Sequence, residues 1–390
     1  MLYLHIIFKS DFVQDIFFNL TTAQWIGLSV LTVALLVQLI YYLFIYLKVP
    51  VWEPNEVSES LEPISVIICA RNEAENLAIH LPKVLEQDYP DFEVIVVNDC
   101  SGDDTEMLLA ELKLKYRNLR STTIEQDNKF SHGKKLALTI GMKAAKYERL
   151  VLTDADCYPA SDQWLKEIGK SYSHKKLIVL GYGGYLTKPG FLNKLIRFDT
   201  LFIAMQYLGS AIIKRPYMGV GRNLSYNKSL FFGGKGFSSL YKLKSGDDDL
   251  FINENATGAN TAVCLAKESF TRSIPQSSFS LWAQQKKRHL TTAPHYKVGD
   301  KWLLGLETFT RMLFYAGIIF LLIVKWNPWI LLGFFVFRML VQLTILKLNM
   351  NKFDEKGFWL WSPIFDLILP MIYLFFIISN SLNRQRNTWN

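Results

Sequence analysis

Charged residues and cysteines are scarce in this sequence, and each shortage excludes a class of protein. Only 20% of the 390 residues are charged, whereas 50% are hydrophobic and 14% are aromatic. A disordered chain has the opposite balance, so we expect a folded protein, and one too apolar to be purely soluble. The few cysteines show no CxxC spacing, so the sequence indicates neither a zinc site nor a disulfide framework. They are Cys69, Cys100, Cys157 and Cys264.

Basic residues outnumber acidic ones and give a formal net charge of +8. Such a charge is typical both of nucleic-acid-binding proteins and of the cytoplasmic flanks of membrane helices. The basic residues gather just before an apolar run that begins at residue 302, and the sequence carries no nucleic-acid-binding motif. We therefore expect membrane lipids, and no nucleic acid, among the partners. These basic residues are Lys286, Lys287, Arg288, Lys297 and Lys301.

Four apolar runs approach the length of about 20 residues that crosses a bilayer. They cover residues 22–47, 302–324, 329–346 and 358–378. The basic cluster before the second run predicts that the region between the first two runs faces the cytoplasm, in an integral protein of the inner or plasma membrane. Four crossings would leave the C-terminal tail on the side of the membrane away from the cytoplasmic domain. Arg384 and Arg386 in that tail fit poorly there, because basic residues favour the cytoplasmic side.

The apolar runs divide the chain into three parts. Residues 1–50 would hold one transmembrane helix, residues 51–300 would form a cytoplasmic domain, and residues 301–390 would hold about three transmembrane helices. Within the middle domain, residues 191–213 are apolar but carry charged side chains. We expect this segment to be a helix that lies along the membrane surface, with a full span as the alternative.

Short apolar runs and helical segments alternate through the middle domain. The apolar runs, typical of parallel strands that are buried on both faces, are residues 64–70, 92–97, 119–124, 149–153 and 178–181. Helical spacing occupies residues 73–87, 103–116 and 134–146. This rhythm predicts an α/β fold with a mainly parallel, Rossmann-like sheet that helices cover on both faces.

Polar residues follow three of these strands directly, at the sheet edge where such folds bind ligands. They are Arg71-Asn72-Glu73, Asn98-Asp99 and Asp154-Ala155-Asp156. One such group could be an ordinary helix cap, but several acidic groups at one edge indicate a site. Asp154 and Asp156 alternate along an extended segment and therefore point to the same side, where they could hold a divalent cation. The alternative is a turn with two solvated aspartates.

Three further groups each allow two interpretations. Lys134 opens a helix, where it could bind a phosphate or simply be a basic first residue. Residues 247–249 are three adjacent aspartates, which could supply a general base with a raised pKa or form an acidic helix start. Residues 285–289 could clamp a diphosphate or be the basic flank of a membrane helix.

Seven segments occur in an order that resembles family 2 glycosyltransferases of the GT-A fold, especially the membrane-embedded kind related to cellulose and hyaluronan synthases. They read PISVIICARNEAENL, EVIVVNDCSGDDT, HGKKLAL, LTDADC, VGRNLSYNKSLF, SGDDDLF and LWAQQKKRH. The resemblance spans residues 63–289, and the seven segments together are far more specific than any one of them. It implies an inverting, metal-dependent glycosyltransferase that moves a hexose from a nucleotide-sugar, by default a UDP-sugar, to a lipid-linked or glycan acceptor in cell-envelope polysaccharide synthesis.

The resemblance also implies roles for the residues that match the family's motifs. These are Ala70, Arg71, Glu73 and Asp99 for the nucleoside; Lys134, Gln285 and Arg288 for the rest of the nucleotide; Asp154 and Asp156 for Mg²⁺ or Mn²⁺; and Asn223 and His289 for the acceptor side. Asp156 would be the more direct metal ligand, and Asp154 would also lie against the nucleotide-sugar.

The resemblance leaves the general base open between two residues. Alignment on the preceding glycine selects Asp248, which we favour, and alignment on Leu250 selects Asp247. His289 replaces the tryptophan of the family's QxxRW motif, which removes a stacking platform for an acceptor sugar. This favours addition of one or a few sugars. A processive synthase that extrudes its product and an inactive membrane partner of another synthase are the alternatives.

Four charged residues lie inside the predicted spans. Glu307 and Arg311 of the second run are an i,i+4 pair near the membrane entry, which we expect only to stabilise its helix. Arg338 is in the third run and Asp366 in the fourth. Charges within a membrane are costly and are usually paired or functional. Both lie about 12–13 Å from the loop that joins the two runs, at 1.5 Å per helical residue. We predict that they form an ion pair; the alternative is that Arg338 snorkels and Asp366 faces a water pocket.

Overall fold

A computed structural model describes residues 20–54, 60–125, 133–241, 243 and 245–382 of the chain. The predictions for residues 1–19 and for the basic tail after residue 382 lie outside this described part. The four runs expected to span a membrane, the alternating strands and all the candidate site residues lie within it.

The strands are short and the helices are of two kinds, those of the middle domain and four long apolar ones. The strands are β1 (Ile64–Ala70), β2 (Phe92–Asp99), β3 (Leu119–Ile124), β4 (Arg149–Asp154), β5 (Cys157–Pro159), β6 (Ile178–Leu180), β7 (Gly183–Tyr185), β8 (Leu224–Asn227), β9 (Thr261–Val263) and β10 (Thr271–Ser273). The helices are α1 (Thr22–Ile40), α2 (Ala74–Leu85), α3 (Thr105–Lys115), α4 (Lys134–Ala144), α5 (Trp164–Lys170), α6 (Phe191–Ile212), α7 (Lys228–Phe232), α8 (Asp249–Asn255), α9 (Phe279–Leu290), α10 (Val298–Ile323), α11 (Pro328–Lys352) and α12 (Ser362–Leu382).

The larger sheet confirms the predicted α/β fold. Its strand order is β3-β2-β1-β4-β8-β6-β9, and the first four strands in that order are parallel. β8 runs antiparallel to both of its neighbours. The central residues of β1, β2 and β4 are apolar and buried, as expected for strands whose two faces are both covered. The register pairs Cys69 with Asp154 and Ala70 with Asn98, so the polar ends of three strands meet at one edge.

A second, three-stranded sheet lies beside this edge, with the order β5-β10-β7. β10 pairs antiparallel with β5 and parallel with β7. Its register places Ser273 opposite Cys157, directly after Asp156. The small sheet therefore fixes the segment that follows β4, where the two alternate aspartates lie.

Four helices are long and apolar enough to cross a membrane, over Thr22–Lys48, Val298–Ile323, Pro328–Lys352 and Trp359–Leu382. α1 and α10 pack side by side, and Nε2 of Gln24 donates to the carbonyl of Val324 at 3.1 Å. At their other ends the Tyr41 hydroxyl donates to the carbonyl of Leu303 at 2.5 Å. The two helices are therefore antiparallel neighbours along their whole length.

α6 lies between the domain and the long helices, and most of its side chains are buried. The Tyr207 hydroxyl donates to the carbonyl of Gly181 at 2.6 Å, which fastens α6 to the larger sheet. On its other side the ring of Phe202 packs 5.5 Å from that of Tyr46. A position along the membrane surface stays a prediction for this segment.

One buried carboxylate connects the long helices to the domain. Glu355, in the loop between α11 and α12, is 1% exposed. It accepts hydrogen bonds at 2.6 Å from Arg197 of α6 and from Arg272 of β10, and at 2.9 Å from the Tyr182 hydroxyl. Since a buried ion is stable only when it is paired and hydrogen-bonded, this contact requires the loop and the domain to fold together.

The predicted ion pair inside the membrane region is confirmed. Nη2 of Arg338 lies 2.9 Å from Asp366, and both side chains are almost completely buried. Arg311 of α10 joins them at 3.4 Å from Asp366 and also pairs with Glu307 at 2.7 Å. Gln38 of α1 accepts from Arg338 at 3.2 Å, so the network joins all four long helices.

Replacing the central carboxylate tests how much this network contributes to stability. Asp366→Asn leaves two buried arginines short of an anion, and we expect a loss of about 3–5 kcal/mol in the free energy of unfolding. Asp354→Asn is the matched control, because Asp354 pairs with Lys356 at an exposed position. Thermal melting of the detergent-solubilised protein measures both variants. Equal melting temperatures for the two would contradict the expectation.

Candidate active site

A cavity of about 940 Å³ lies at the edge where β1, β2 and β4 end. Of the residues selected from the sequence, all except Asn223 line it. They are Ala70, Arg71, Glu73, Asp99, Lys134, Asp154, Asp156, Asp247, Asp248, Gln285, Arg288 and His289. Segments that are far apart in the chain therefore meet around one space.

The loops after β1 and β2 are fastened to each other. Asn72 and Cys100 adopt left-handed backbone angles, with φ of 56° and 54°, so each strand ends in a sharp turn. Oδ1 of Asn72 accepts from the amide of Gly102 at 2.8 Å, and Oδ2 of Asp103 accepts from the amide of Ala74 at 3.0 Å. Asn72 is thus a turn residue, and its neighbours Arg71 and Glu73 line the cavity.

Asp154 and Asp156 differ in their partners and therefore in their protonation. Burial alone would raise the pKa of Asp154, but the ammonium of Lys134, 2.7 Å away, lowers it below the usual value. Burial and the charge of Asp154 raise the pKa of Asp156, whose Oδ2 accepts from the Ser273 hydroxyl at 2.8 Å. A cation between two such carboxylates would relieve their repulsion.

Carboxylates of this kind could hold a hard divalent ion. Ligand atoms of Asp154, Asp156 and Cys157 lie within 4.8 Å of one another. Burial raises the pKa of the Cys157 thiol, which therefore stays protonated and is a poor ligand. The two aspartates fit Mg²⁺ or Mn²⁺, which accept carboxylate oxygens and leave further positions for water and phosphate.

Lys134 links the two acidic parts of the cavity. Its Nζ lies 2.7 Å from Asp154 and 3.3 Å from Asp247. Although burial opposes it, the nearby carboxylates hold the pKa of Lys134 well above its usual value. Lys134 is the first residue of α4, so the helix start that the sequence indicated brings a fixed positive charge into the cavity.

The three adjacent aspartates have three different environments. Asp247 pairs with Lys134, as described above. Asp249, the first residue of α8, accepts from the hydroxyls of Thr292 at 2.5 Å and Tyr296 at 2.8 Å, which makes it an anchor. Asp248 lies between them and caps α8. All three line the cavity, and Asp248 is half-buried whereas Asp247 and Asp249 are buried.

Asp248 has the most perturbed protonation of the group. Its burial, and then the charges of Asp247 and Asp249, raise its pKa to about 7. Its Oδ2 accepts from the amide of Gly221 at 2.7 Å. A Cβ on Gly221 would lie 3.3 Å from this oxygen and 3.5 Å from Nζ of Lys134, so a glycine permits the close approach. A carboxylate with a pKa near neutrality suits proton transfer.

α9 closes the cavity on the side of the long helices. Gln285, Arg288 and His289 of this helix line the cavity. Burial, and then the neighbouring charges of Lys286 and Arg288, hold the pKa of His289 well below its usual value, so its imidazole is neutral. Lys286 forms an ion pair with Asp199 of α6, which fixes the orientation of α9.

Asn223 does not take the place that the sequence suggested. It is 1% exposed, and its Nδ2 donates to the carbonyls of Tyr182 at 2.9 Å and Ser269 at 2.8 Å. Its Oδ1 accepts from the indole of Trp164 at 3.1 Å. The side chain is therefore fully used inside the fold. Its neighbour Arg222 lines the cavity instead. Arg222 belongs to the same VGRNLSYNKSLF segment but is not among the candidate site residues taken from the sequence.

Beyond α9 the cavity continues into an apolar part between α6, α10 and α12. The residues that line this part include Ile203, Leu304, Phe309, Met312 and Ile377. They come from segments whose sequence indicates only membrane helices or a helix along the membrane surface. One connected space therefore has carboxylates and cations at one end and apolar side chains at the other.

Comparison with known proteins identifies the part of the chain that carries the strand edge of this cavity. The model of glycosyl transferase family 2 matches residues 65–234. The chain carries a family 2 glycosyltransferase domain. Over 98 residues it is 35% identical to a poly-beta-1,6-N-acetyl-D-glucosamine synthase of Staphylococcus epidermidis, a match that covers 25% of this chain and 23% of that protein.

Two further proteins resemble the glycosyltransferase domain. Glycosyltransferase AglE of Haloferax volcanii is 31% identical over 161 residues, which is 41% of this chain and 51% of that protein. The chain therefore spans about a quarter to a half of the curated relatives it matches. A mannosyltransferase of Pyrobaculum calidifontis, solved with GDP-Man and Mn²⁺, superposes with a TM-score of 0.56 at 17% identity over 86% of this chain and 100% of its own. That likeness shows a shared GT-A fold.

Truncating Asn223 tests whether this residue is structural. Asn223→Ala leaves the Trp164 indole and two carbonyls without their partner, and we expect a loss of about 1–3 kcal/mol in unfolding free energy for each buried group left unpaired. Asn118→Ala is the control, because Asn118 makes one hydrogen bond at a part-exposed position. Melting temperature measures the difference. A stable Asn223→Ala protein with a changed KM for acceptor would instead support the acceptor role.

Proposed function

We propose that this chain is an inverting, metal-dependent membrane glycosyltransferase of the hexosyltransferase type. It moves a sugar from a nucleotide-sugar to a lipid-linked or glycan acceptor in the synthesis of cell-envelope polysaccharide. The observation that carries the proposal is the single cavity in which Asp154, Asp156, Lys134, the three adjacent aspartates and α9 meet. At the inner or plasma membrane, the domain would face the cytoplasm, which is the compartment that supplies nucleotide-sugars.

The donor would occupy the end of the cavity at the strand edge. Ala70, Arg71, Glu73 and Asp99 are placed to contact the nucleoside, where a carboxylate can accept hydrogen bonds from base or ribose. The cations of Lys134 and Arg288, with the amide of Gln285, are placed to bind the phosphates. UDP-sugars are the first donors to test because the resemblance is to synthases that use them; the solved mannosyltransferase holds GDP-Man.

A divalent ion held by Asp156 and Asp154 would neutralise charge on the diphosphate leaving group. Two contacts within the chain shape this position. Ser273 holds one oxygen of Asp156 in place, and Lys134 keeps Asp154 ionised. The Mn²⁺ in the solved mannosyltransferase favours the same class of ion here.

Proton transfer would fall to the aspartates next to Lys134. Asp248 would take the proton from an acceptor hydroxyl, whose oxygen then attacks the anomeric carbon opposite the diphosphate, in a single displacement that inverts configuration. Asp247 is the alternative base, but its carboxylate is engaged by Lys134. His289, neutral and beside the cavity, can accept or donate a hydrogen bond to the acceptor.

The apolar part of the cavity favours a lipid-linked acceptor. A purely glycan acceptor would not use side chains such as Phe309 and Ile377, whereas a lipid carrier would pack against them.

A processive synthase is the alternative enzyme, and a polymer ladder in place of a discrete glycolipid would identify it. An inactive partner of another synthase is a third alternative, which intact acidic residues oppose.

Nucleotide release by the purified, detergent-solubilised protein tests the proposed function. Across UDP-, GDP- and dTDP-sugars, we expect release from one donor that EDTA abolishes and added Mg²⁺ or Mn²⁺ restores. Asp156→Ala should lose this release because one of the two carboxylates that bind the ion is gone. Asp354→Asn, at an exposed loop position, is the control. No release from any donor in the presence of membrane lipids would favour the inactive-partner alternative.

The pH dependence of the rate separates the two candidate bases. With Asp248 as base, activity rises as pH increases through about 7, because only the carboxylate form accepts a proton. Asp248→Asn should lower kcat by about 10²–10⁴-fold. Asp247→Asn removes a neighbouring negative charge, so it should lower the pKa of Asp248 and move the acid limb to lower pH. If Asp247→Asn abolishes turnover and Asp248→Asn only shifts the profile, Asp247 is the base.

A further inference from the structure

Three of the long helices have one end at the domain and the other end far from it. α1 and α10 meet the domain near Tyr41 and Leu303, and their opposite ends meet each other at Gln24 and Val324. α11 begins near that opposite end, just after the Val324–Lys325 turn, and returns to the domain side. There Asn349 donates to the carbonyl of Tyr46 at 3.2 Å. Each of these three helices therefore extends from the domain side of the molecule to the opposite side.

α12 has contacts with the domain at both of its ends. Near its start the ring of Phe365 lies 5.3 Å from that of Phe191, the first residue of α6. In its last turn Asn380 donates to the carbonyl of Lys287 in α9 at 2.8 Å. The Lys287 ammonium in turn donates to Ser379 at 2.8 Å. α6 and α9 both precede α10, and both line the cavity that contains Asp154.

The length of α12 makes these contacts incompatible with a crossing. At 1.5 Å per residue its 21 residues extend about 31 Å, close to the hydrocarbon thickness of about 30 Å. If α12 crossed the bilayer from the domain side, its last turn would lie on the far side. The hydrogen bonds to Lys287 place that turn against α9 instead.

The apolar cores divide the long helices in the same way. The core far from the domain contains Leu28, Leu31, Ala34 and Leu35 of α1, Phe314 and Leu321 of α10, Trp326, and Leu331 of α11. Within the described part of the chain, no α12 residue belongs to that core. The buried side chains Phe365, Leu369 and Phe376 of α12 belong to the core that the domain shares with the near ends of α1 and α11.

The two faces of α12 have opposite character. The face towards the protein carries Asp366, Tyr373 and Ser379, which bond to Arg338, Asp199 and Lys287. The outer face is an exposed apolar stripe at helical spacing: Ile364, Leu367, Met371, Leu374, Phe375, Ile378 and Leu382. A helix with this division, fixed against a domain at both ends, fits the boundary between lipid headgroups and acyl chains.

We propose that α12 lies along the membrane on the domain side and that only α1, α10 and α11 cross the bilayer. The lipid boundary covers the apolar stripe of α12. The chain would then leave α12 on the same side as the domain. Arg384 and Arg386, which follow in sequence, would share that side with the basic residues 286–288, as the charge rule for cytoplasmic segments requires.

Labelling of introduced cysteines tests the side of the C-terminus in the full chain. Asn390→Cys is compared with Lys325→Cys, in the turn between α10 and α11, and with Lys356→Cys, in the loop that holds Glu355. The parent chain measures the background from its own thiols. A membrane-impermeant maleimide is added to intact spheroplasts and, separately, to lysed ones.

We expect Asn390→Cys to behave like Lys356→Cys and opposite to Lys325→Cys. With the domain in the cytoplasm, only Lys325→Cys reacts before lysis, and all three react after it. Reaction of Asn390→Cys together with Lys325→Cys would overturn the proposal. If the whole protein had the reverse orientation, Asn390→Cys and Lys356→Cys would still show the same labelling pattern as each other. The test therefore depends neither on the proposed function nor on which side of the membrane the domain occupies.

Discussion

The contact of one ammonium with two carboxylates holds the centre of this structure together. Lys134 lies between Asp154, at the end of β4, and Asp247, in the turn before α8. At about 4 Å and an effective dielectric constant near 20, two like charges repel by about 4 kcal/mol. Several carboxylates surround the cavity, so a fixed cation among them is a condition for the sheet edge and the aspartate turn to approach. That cation separates two acidic groups, Asp154 with Asp156 on one side and the three adjacent aspartates on the other.

Buried charge also organises the half of the protein that contains the long helices. Asp366 draws Arg311 and Arg338 together from two helices, and Gln38 adds a third. Each charge is costly to remove from water, and the cost is offset only when all partners are in position. Apolar helices alone could slide or rotate against one another with little penalty. The charged network specifies one arrangement, and that arrangement places the apolar part of the cavity beside α9.

Much of the domain could be predicted because local pattern and tertiary environment agree there. β1 and β3 have the bounds expected from their apolar runs, and the polar residues after β1, β2 and β4 meet as parallel strands require. The Arg338–Asp366 pair could also be predicted, since helical rise converts sequence position into depth. For Arg311 the sequence predicts only the local contact with Glu307, because spacing along one helix does not reveal which other helices face it.

The site features that the sequence does not indicate depend on contacts between distant segments of the chain. Ser273 holds Asp156 because the small sheet brings β10 beside it, and no sequence pattern indicates that pairing. Asn223 was selected from a motif, yet the fold turns it inward and gives the cavity Arg222. The apolar part of the cavity is lined by three helices together, so it depends on their packing and not on the sequence of any one of them.

Glu355 makes the membrane region a structural component of the glycosyltransferase domain. Its two arginine partners lie on α6 and on β10, and β10 also carries the serine that holds Asp156. The amino-acid composition becomes more apolar near residue 300, but contacts such as those of Glu355 join residues on both sides of this boundary. A fragment that ended before α10 would lack Glu355 and would leave the guanidinium groups of Arg197 and Arg272 without their shared counter-ion. Loss of the membrane region would therefore loosen β10, and with it the serine that positions Asp156.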